Sequence, residues 1–325
     1  MANDGEDDLH GEEDEEDEEE EAITYPKDIE MANNPLASEA VAENLSLLCK
    51  TGNGLAHAFV RLDVRNKGLT DISILNCYVH LRYLDLSNNG LRDISAVNAL
   101  PHLLTLKVDH NMLTSARLEE LQYLQVASFA NNQITSTEGI AHPLLETLNI
   151  SSNKIRELTG LTRQNLPSLR SLDLHGNELS SIQNLHIPTL RQLFLASNNL
   201  SSIDGLSGLP QLTTLHLRNN HIATLDGFTS DLESLQYINM RTNKIAELSE
   251  VDKLKCLPYL RALSLLDCPI CDVEDYRIEV LVRLRKLERL DKDQYTDDER
   301  GDAEDIHSQR QAEAKKAAEA AEEES

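Results

Sequence analysis

His175 and His216 are the residues of this chain best suited by type to hold a metal ion, two imidazoles at surface-facing places of extended segments. Zinc would need both rings bonded at about 2.1 Å to one ion. The repeating pattern puts two layers between them, about 10 Å of sheet. They therefore read as solvated contact residues. His102, His142 and His186 fall in or near connecting loops and read as structural or exposed. Of the five cysteines, Cys49, Cys77, Cys256, Cys268 and Cys271, only the last two are closely spaced, and no second pair completes a zinc set. Reduced packing thiols are the expectation, and they imply an intracellular protein. Gly52–Asn53–Gly54 is a turn that lacks the Gly-Lys-Ser or Gly-Lys-Thr of a phosphate loop. No serine or cysteine has a base and an orienting group at defined spacing. These residues imply no enzyme, no cofactor, no metal and no small-molecule substrate.

Charge narrows the partners. The formal net charge is -26, and residues 1–21 hold 14 acids with no Lys or Arg. Such a block repels itself and has nothing to bury, so an acidic, disordered tail is expected over 1–37. Nucleic acid and anionic membrane are excluded as partners, because their phosphates require Lys and Arg. A basic protein surface is not excluded. No apolar run reaches 18 residues, so no membrane span is expected. The opening MANDGEDDLH has no signal-peptide character. Apolar residues make up 40% of the chain, aromatics only 4%, and Trp is absent, so the core must be built from many small aliphatic layers.

The stretch LRYLDLSNNGL (81–91) shows how those layers are made. The pattern LxxLxLxxNxL starts at Phe59, Leu81, Leu103, Leu124, Leu145, Leu169, Leu190, Leu212, Leu235 and Leu260, with spacings of 21 to 25 residues. That is leucine-rich-repeat length. Positions 4 and 6 lie two apart and face the core from a short strand, while positions 3, 5 and 7 face the other, concave side. Position 9 is Asn in eight units, from Asn89 to Asn243, with Lys67 and Cys268 in the end units. A short amide can satisfy the backbone groups of the turn, so these side chains are expected to form a ladder. The outer half of each unit carries apolar residues at every third place, which suits 3-10 turns. Units near 145–167 and 235–258 are long enough for a helical turn. The expected fold is an α/β leucine-rich-repeat solenoid of about ten repeats, with short parallel concave strands, a convex side of 3-10 helix and turns, and a cap at each end.

The predicted boundaries are a helical N-terminal cap over 38–58, the solenoid over 59–268, a C-terminal cap over 269–295, and a polar, alanine- and glutamate-rich tail over 296–325 that favours helix. Val41, Leu45, Leu48 and Cys49 recur at helical spacing and should cover the core beside Phe59. Tyr276, Val280, Leu281 and Leu284 form the stripe of the second cap, with Tyr276 a packing residue. Read by column, the concave face has a small polar middle (Ser128, Ala130, Asn149, Ser151). Its later units gather Phe194, His216, Arg218, Tyr237, Arg241 and Leu266. Exposed aromatic and arginine side chains on a strand face mark a protein-binding anchor.

The non-repeat words LLCKTGNGLAHA and NNQITSTEGIAHP, with the repeats and the second cap, resemble the leucine-rich repeat-containing protein 23 family over about residues 43–295. That resemblance implies a non-catalytic radial spoke component of motile cilia and flagella. Such a component is a cytoskeletal scaffold in the axoneme, bound to other radial spoke proteins in a large assembly and supporting motility. The repeats are also similar to the nuclear regulator of protein phosphatase 1, which implies the alternative of a phosphatase regulatory subunit. That alternative expects a continuous acidic and aromatic concave strip, which Ser128, Ala130, Asn149 and Ser151 interrupt.

Overall fold

The computed structural model describes residues 32–52 and 54–323. Most of the tail expected over 1–37, and Asn53 of the turn, lie outside the described residues.

The ten units each supply one strand. They are β2 (His57–Asp63), β3 (Tyr83–Asp85), β4 (Thr105–Lys107), β5 (Val126–Ser128), β6 (Thr147–Asn149), β7 (Ser171–Asp173), β8 (Gln192–Phe194), β9 (Thr214–His216), β10 (Tyr237–Asn239) and β11 (Ala262–Ser264). Each pairs in parallel with the next, in sequence order. An antiparallel strand closes the sheet at either end: β1 (Leu45–Lys50) beside β2, and β13 (Asp293–Gln294) beside β12 (Arg289–Leu290).

LRQLFLASNNL (190–200) shows how one unit folds. Leu190, Leu193, Leu195 and Leu200 are fully buried, and the convex Ile203, Leu206 and Leu209 meet them from the far side. Each such side chain gains roughly 1.5–3 kcal/mol relative to exposure. Most of that gain is offset by the entropy of ordering the unit.

The turn after the strand is the costly part. The eighth residue is left-handed in every unit, from Asn66 (φ 57°) to Asp267 (φ 58°), and only Gly176 among the ten has no Cβ. That conformation costs an L-residue roughly 1–2 kcal/mol. The asparagine that follows offsets it. Asn198 Nδ2 donates to the carbonyls of Leu195 (3.1 Å) and Ala196 (3.1 Å) in its own turn and of Leu174 (3.0 Å) in the preceding unit. Its Oδ1 accepts from the Leu179 N–H at 3.0 Å. One buried amide thus satisfies four backbone groups in two units, and the other seven asparagines repeat the geometry. In the last unit Cys268 takes over: its thiol donates to the Met240 carbonyl at 3.3 Å and its sulfur accepts from the Asn243 N–H at 3.4 Å.

On the convex side, 3-10 helix covers Ser73–Cys77, Ser95–Ala99 and Asp252–Cys256, and turns make most of the rest. The long unit at 235–258 carries the expected helical turn, α2 (Leu248–Val251), introduced after α1 (Ser38–Asn44) in chain order. The long unit at 145–167 does not. There Thr137, fully buried, exchanges hydrogen bonds with the Thr159 backbone (2.7 and 2.8 Å), and Asn165 holds the Gly160 carbonyl at 2.7 Å. These side-chain bonds compete with a helix for the same backbone groups.

The N-terminal cap departs from the helix expected over 38–58. Helix α1 ends at Asn44, whose side chain turns back to the Ala40 carbonyl at 2.7 Å. The chain then forms a hairpin, β1 against β2, closed by Thr51 and Ala56. Val41 is fully buried as expected, but Leu48 is 58% exposed and Phe59 48% exposed. The apolar spacing in LSLLCK fits a strand as well as a helix, and a glycine turn between two short apolar runs favours the hairpin. Asn34 stands in for a ladder residue, donating to the Lys67 and Gly68 carbonyls at 2.9 and 3.1 Å.

At the other end, α3 (Tyr276–Arg283) buries Tyr276, Val280 and Leu281, with Leu284 after it. The tail beyond residue 295 is α4 (Asp297–Glu323), and its first turns are part of the cap: Ala303 is buried and Ile306 packs beside it. A capping box starts it. Glu299 N–H donates to Thr296 Oγ1 (3.3 Å) and Thr296 N–H to Glu299 Oε2 (2.7 Å).

Candidate protein-binding face

Concave positions 3, 5 and 7 are held at a spacing set by the sheet, about 4.8 Å from strand to strand. The six residues expected to anchor a partner, Phe194, His216, Arg218, Tyr237, Arg241 and Leu266, all lie half-buried on this face. The structure brings three of them into one file. The Phe194 and His216 rings are 4.9 Å apart between centroids, and His216 meets Tyr237 edge-on at 5.3 Å. Adjacent strands place Phe194 beside His216 at the fifth position, and Tyr237 follows one strand on, at the third. Aromatic pairs in these orientations are worth about 0.5–1.5 kcal/mol beyond area burial.

A residue not singled out from the sequence extends the file. Arg289 on β12 places its guanidinium 5.6 Å from the Tyr237 ring centroid. It does so by crossing Ala262, the small residue at the same position of β11. The signal was present: Leu287 and Leu290 keep the first two offsets of the repeat, so LERLD opens an eleventh parallel strand. Arg241 behaves differently from the rings. Its Nε donates to Asp267 at 2.8 Å, so the arginine is braced sideways.

The rest of the face is polar. At its N-terminal end Arg65 grips Asp63 with two bonds of 2.9 Å and lies 3.6 Å from Asp85. The Arg65 hydrogen bond holds the Asp63 carboxyl below the ordinary aspartate value. In the middle, burial pushes Asp109 above that value, although Ser128 Oγ and the Ala130 N–H donate to it at 2.5 and 2.8 Å. Ser128, Ala130 and Ser151, in the small polar middle of the columns, are buried rather than presented on the face. His175 turns to Asp173 at 2.9 Å. Among the described residues no three His, Cys, Asp or Glu side chains group as metal ligands, and no helix is long and apolar enough to cross a membrane.

Chemically, the face can present a rigid aromatic ledge, flanked by guanidinium groups, to another protein. A leucine-rich repeat family profile matches residues 164–321, and a second matches 79–97. The chain is 51% identical to leucine-rich repeat-containing protein 23 of Bos taurus over 274 residues, covering 84% of this chain and 80% of that protein. It is 34% identical to cilia- and flagella-associated protein 410 of Mus musculus over 93 residues, 28% of this chain and 37% of that one. Among solved structures, the functional domain of InlJ from Listeria monocytogenes superposes with a TM-score of 0.50 at 21% identity. That match covers 72% of this chain and about half (53%) of InlJ, and it speaks to the fold alone.

Proposed function

The chain belongs to the leucine-rich repeat-containing protein 23 family, and from that premise we propose that it is a non-catalytic scaffold of the ciliary and flagellar axoneme. In this reading it sits in the radial spoke, binds neighbouring spoke proteins and supports motility. The observation that carries the reading is the file Phe194–His216–Tyr237 with Arg289 alongside. Preset rings on a sheet lose little entropy on binding, and aromatic and arginine side chains supply a disproportionate share of interface energy. The likeness of one segment to a protein named for cilia and flagella supports the setting.

The test replaces Phe194, Tyr237 and Arg241 together by alanine in cells that build motile cilia. The variant should stay folded, with a melting temperature lowered by only a few degrees, because none of the three side chains belongs to the buried core. The variant should be lost from detergent-extracted axonemes, whereas the parent protein stays with them. Normal incorporation and normal retention in high salt would reject this face. A parent protein that washes out with detergent would reject the axonemal role, and that is the behaviour expected of a soluble phosphatase regulator.

A further inference from the structure

The aromatic file on the concave face has a pitch, and the pitch selects what can lie along it. Phe194, His216 and Tyr237 come from three consecutive strands, β8, β9 and β10, with ring centroids 4.9 and 5.3 Å apart. A partner that touches all three must offer three side chains about 5 Å apart in one line. In an extended segment, side chains on one face recur every two residues, at about 6.8 Å. Over the two steps of the file such a segment drifts out of register by roughly 3.4 Å, more than half a strand spacing. On an α-helix, residues three and four apart share a face, at an average of about 5.4 Å per turn. The helix keeps step with the rings. Small residues border the file: Ala196, Ala262 and Ser264 stand at neighbouring concave positions and leave room for a cylinder about 10 Å across. Positions 3, 5 and 7 of units seven to ten carry Arg218 and Arg241 and no carboxylate, and Arg289 adds a third guanidinium from β12. In a chain of net charge -26 this end of the face is basic.

We propose, resting on the partner-binding reading of this face, that its later units take an amphipathic, acidic α-helix of a partner protein, laid along the ring file. Aliphatic side chains at i, i+4 and i+7 of that helix meet Phe194, His216 and Tyr237, as in other helices that seat an apolar stripe in a groove. Carboxylates on its flanks meet Arg218 and Arg289, whose planar guanidinium groups can bind them in a two-pronged fork. The remaining segments of this chain do not supply such a helix. Residues 12–21 are ten acids in a row with no apolar anchor. Pro26 lies among the apolar residues that follow, where it would break a helix interior. The α4 helix of a second copy has alanine as its only apolar residue type after Ile306, too small to fill the spaces between rings.

The experiment places the photo-cross-linking residue benzoylphenylalanine at Phe194 in one full-length variant and at Tyr237 in another, in cells that build motile cilia. Cross-links are formed in detergent-extracted axonemes and mapped to single residues by mass spectrometry. The two sites are two strand spacings apart, about 10 Å, which a helix covers in about seven residues and an extended segment in about three. The expected result is that both variants mark one segment of one partner, at residues about six to eight apart, with Asp or Glu among those between. Arg218→Glu should lower the cross-link yield per incorporated chain at least tenfold, with Arg218→Gln as the milder variant if charge reversal disturbs folding. If a ring substitution blocks incorporation, the same residue at Ala196 and Ala262 spans three strand spacings, about ten residues of helix against about four of extended chain. Marks at the extended spacing, marks on a second copy or on residues 1–31 of this chain, or a yield indifferent to the Arg218 variants would overturn the helix and leave the face as a binding surface. No cross-link from any of these positions, in axonemes that retain the protein, would overturn the helix and the face together.

Discussion

Arg310 on α4 closes over Glu279 on α3 with two hydrogen bonds, Nη2 to Oε1 at 2.6 Å and Nη1 to Oε2 at 3.0 Å. The pair bridges 31 residues of sequence and fixes the polar tail to the end of the solenoid. Arg277, which donates to Glu299 and to the Gln294 carbonyl, makes a second tie.

Docking of α4 is therefore expected to be sensitive to acid. The Arg310 hydrogen bond, opposed by burial and joined by Arg283, lowers the Glu279 pKa to about 2. A carboxylate with a lowered folded pKa stabilises the folded form at pH values above its ordinary pKa, and that contribution disappears as pH falls from about 4.5 to about 2. Arg310→Ala should speed amide exchange in α4 at neutral pH while leaving β3–β10 unchanged, because exposed pairs contribute little to global stability. Exchange in α4 that is the same in parent and variant would show that packing of Ala303 and Ile306 alone holds the helix.

Two asparagines of the solenoid separate the ladder from the surface. Asn153 is buried and donates to Phe129, Ile150 and Ser151 carbonyls at 3.0, 3.1 and 2.9 Å, whereas Asn199 is exposed. Asn153→Ala should cost roughly 1–3 kcal/mol by leaving those groups unpaired. Asn199→Ala should cost less than about 0.5 kcal/mol. Urea unfolding of the two variants gives the comparison, and equal midpoints would contradict the ladder.

Gly205 and Gly208 form a matched pair on the convex side. Both have positive φ, 113° and 96°. A Cβ on Gly205 would lie 2.7 Å from both Gln183 Cα and Ile182 O of the preceding unit, whereas one on Gly208 would meet nothing within 4 Å. Gly208→Ala should carry only the conformational cost of a side chain at that φ, roughly 1–3 kcal/mol. Gly205→Ala should exceed it by several kcal/mol, since rigid backbone must move. Thermal melts of the two single variants test whether adjacent convex turns are in contact at that point.

His142 is 1% exposed, and its Nδ1 accepts the Leu121 N–H at 3.2 Å. Burial lowers its pKa to about 4. The unfolded chain binds this proton at pH values where the folded one does not. His142 should therefore make stability fall as pH drops from about 6.5 to about 4, by at most about 3.5 kcal/mol at ~1.4 kcal/mol per pKa unit. In His142→Gln that part of the decline should vanish, with urea unfolding across the same range as the readout. An unchanged pH slope would mean the ring is hydrated in solution.

The solenoid was legible because one chemical need repeats. Leucines at offsets of three and two, then an amide at the turn, leave one arrangement that satisfies the backbone. The ends obey other rules. In LSLLCK the apolar spacing fits a helix and a strand alike, so Leu48 and Phe59 were assigned to the core that the hairpin leaves them outside. Arg289 falls inside the segment expected to be the C-terminal cap, although the leucines of LERLD keep the register of the repeat. Thr296–Glu299 is a capping box written plainly in TDDE, and it sets the start of α4. The left-handed eighth position was hidden, since Asn, His, Ser, Thr, Asp and Gly all serve there. Of the candidate face, the strand columns placed Phe194 beside His216. The slant to Tyr237 needed side-chain geometry.

The Asn ladder also sets how the molecule bears load. Each rung ties a unit to the one before it and to no other, as Asn198 reaches Leu174 and Leu179 but nothing further. Force applied along the array would therefore meet a row of equivalent, serially linked fasteners. They would yield one at a time from a loaded end, each releasing about 22 residues, roughly 75 Å of extended chain. Such a part behaves as a stiff strut until the first rung breaks and as a stepwise extensible one afterwards, with every step limited to a single repeat.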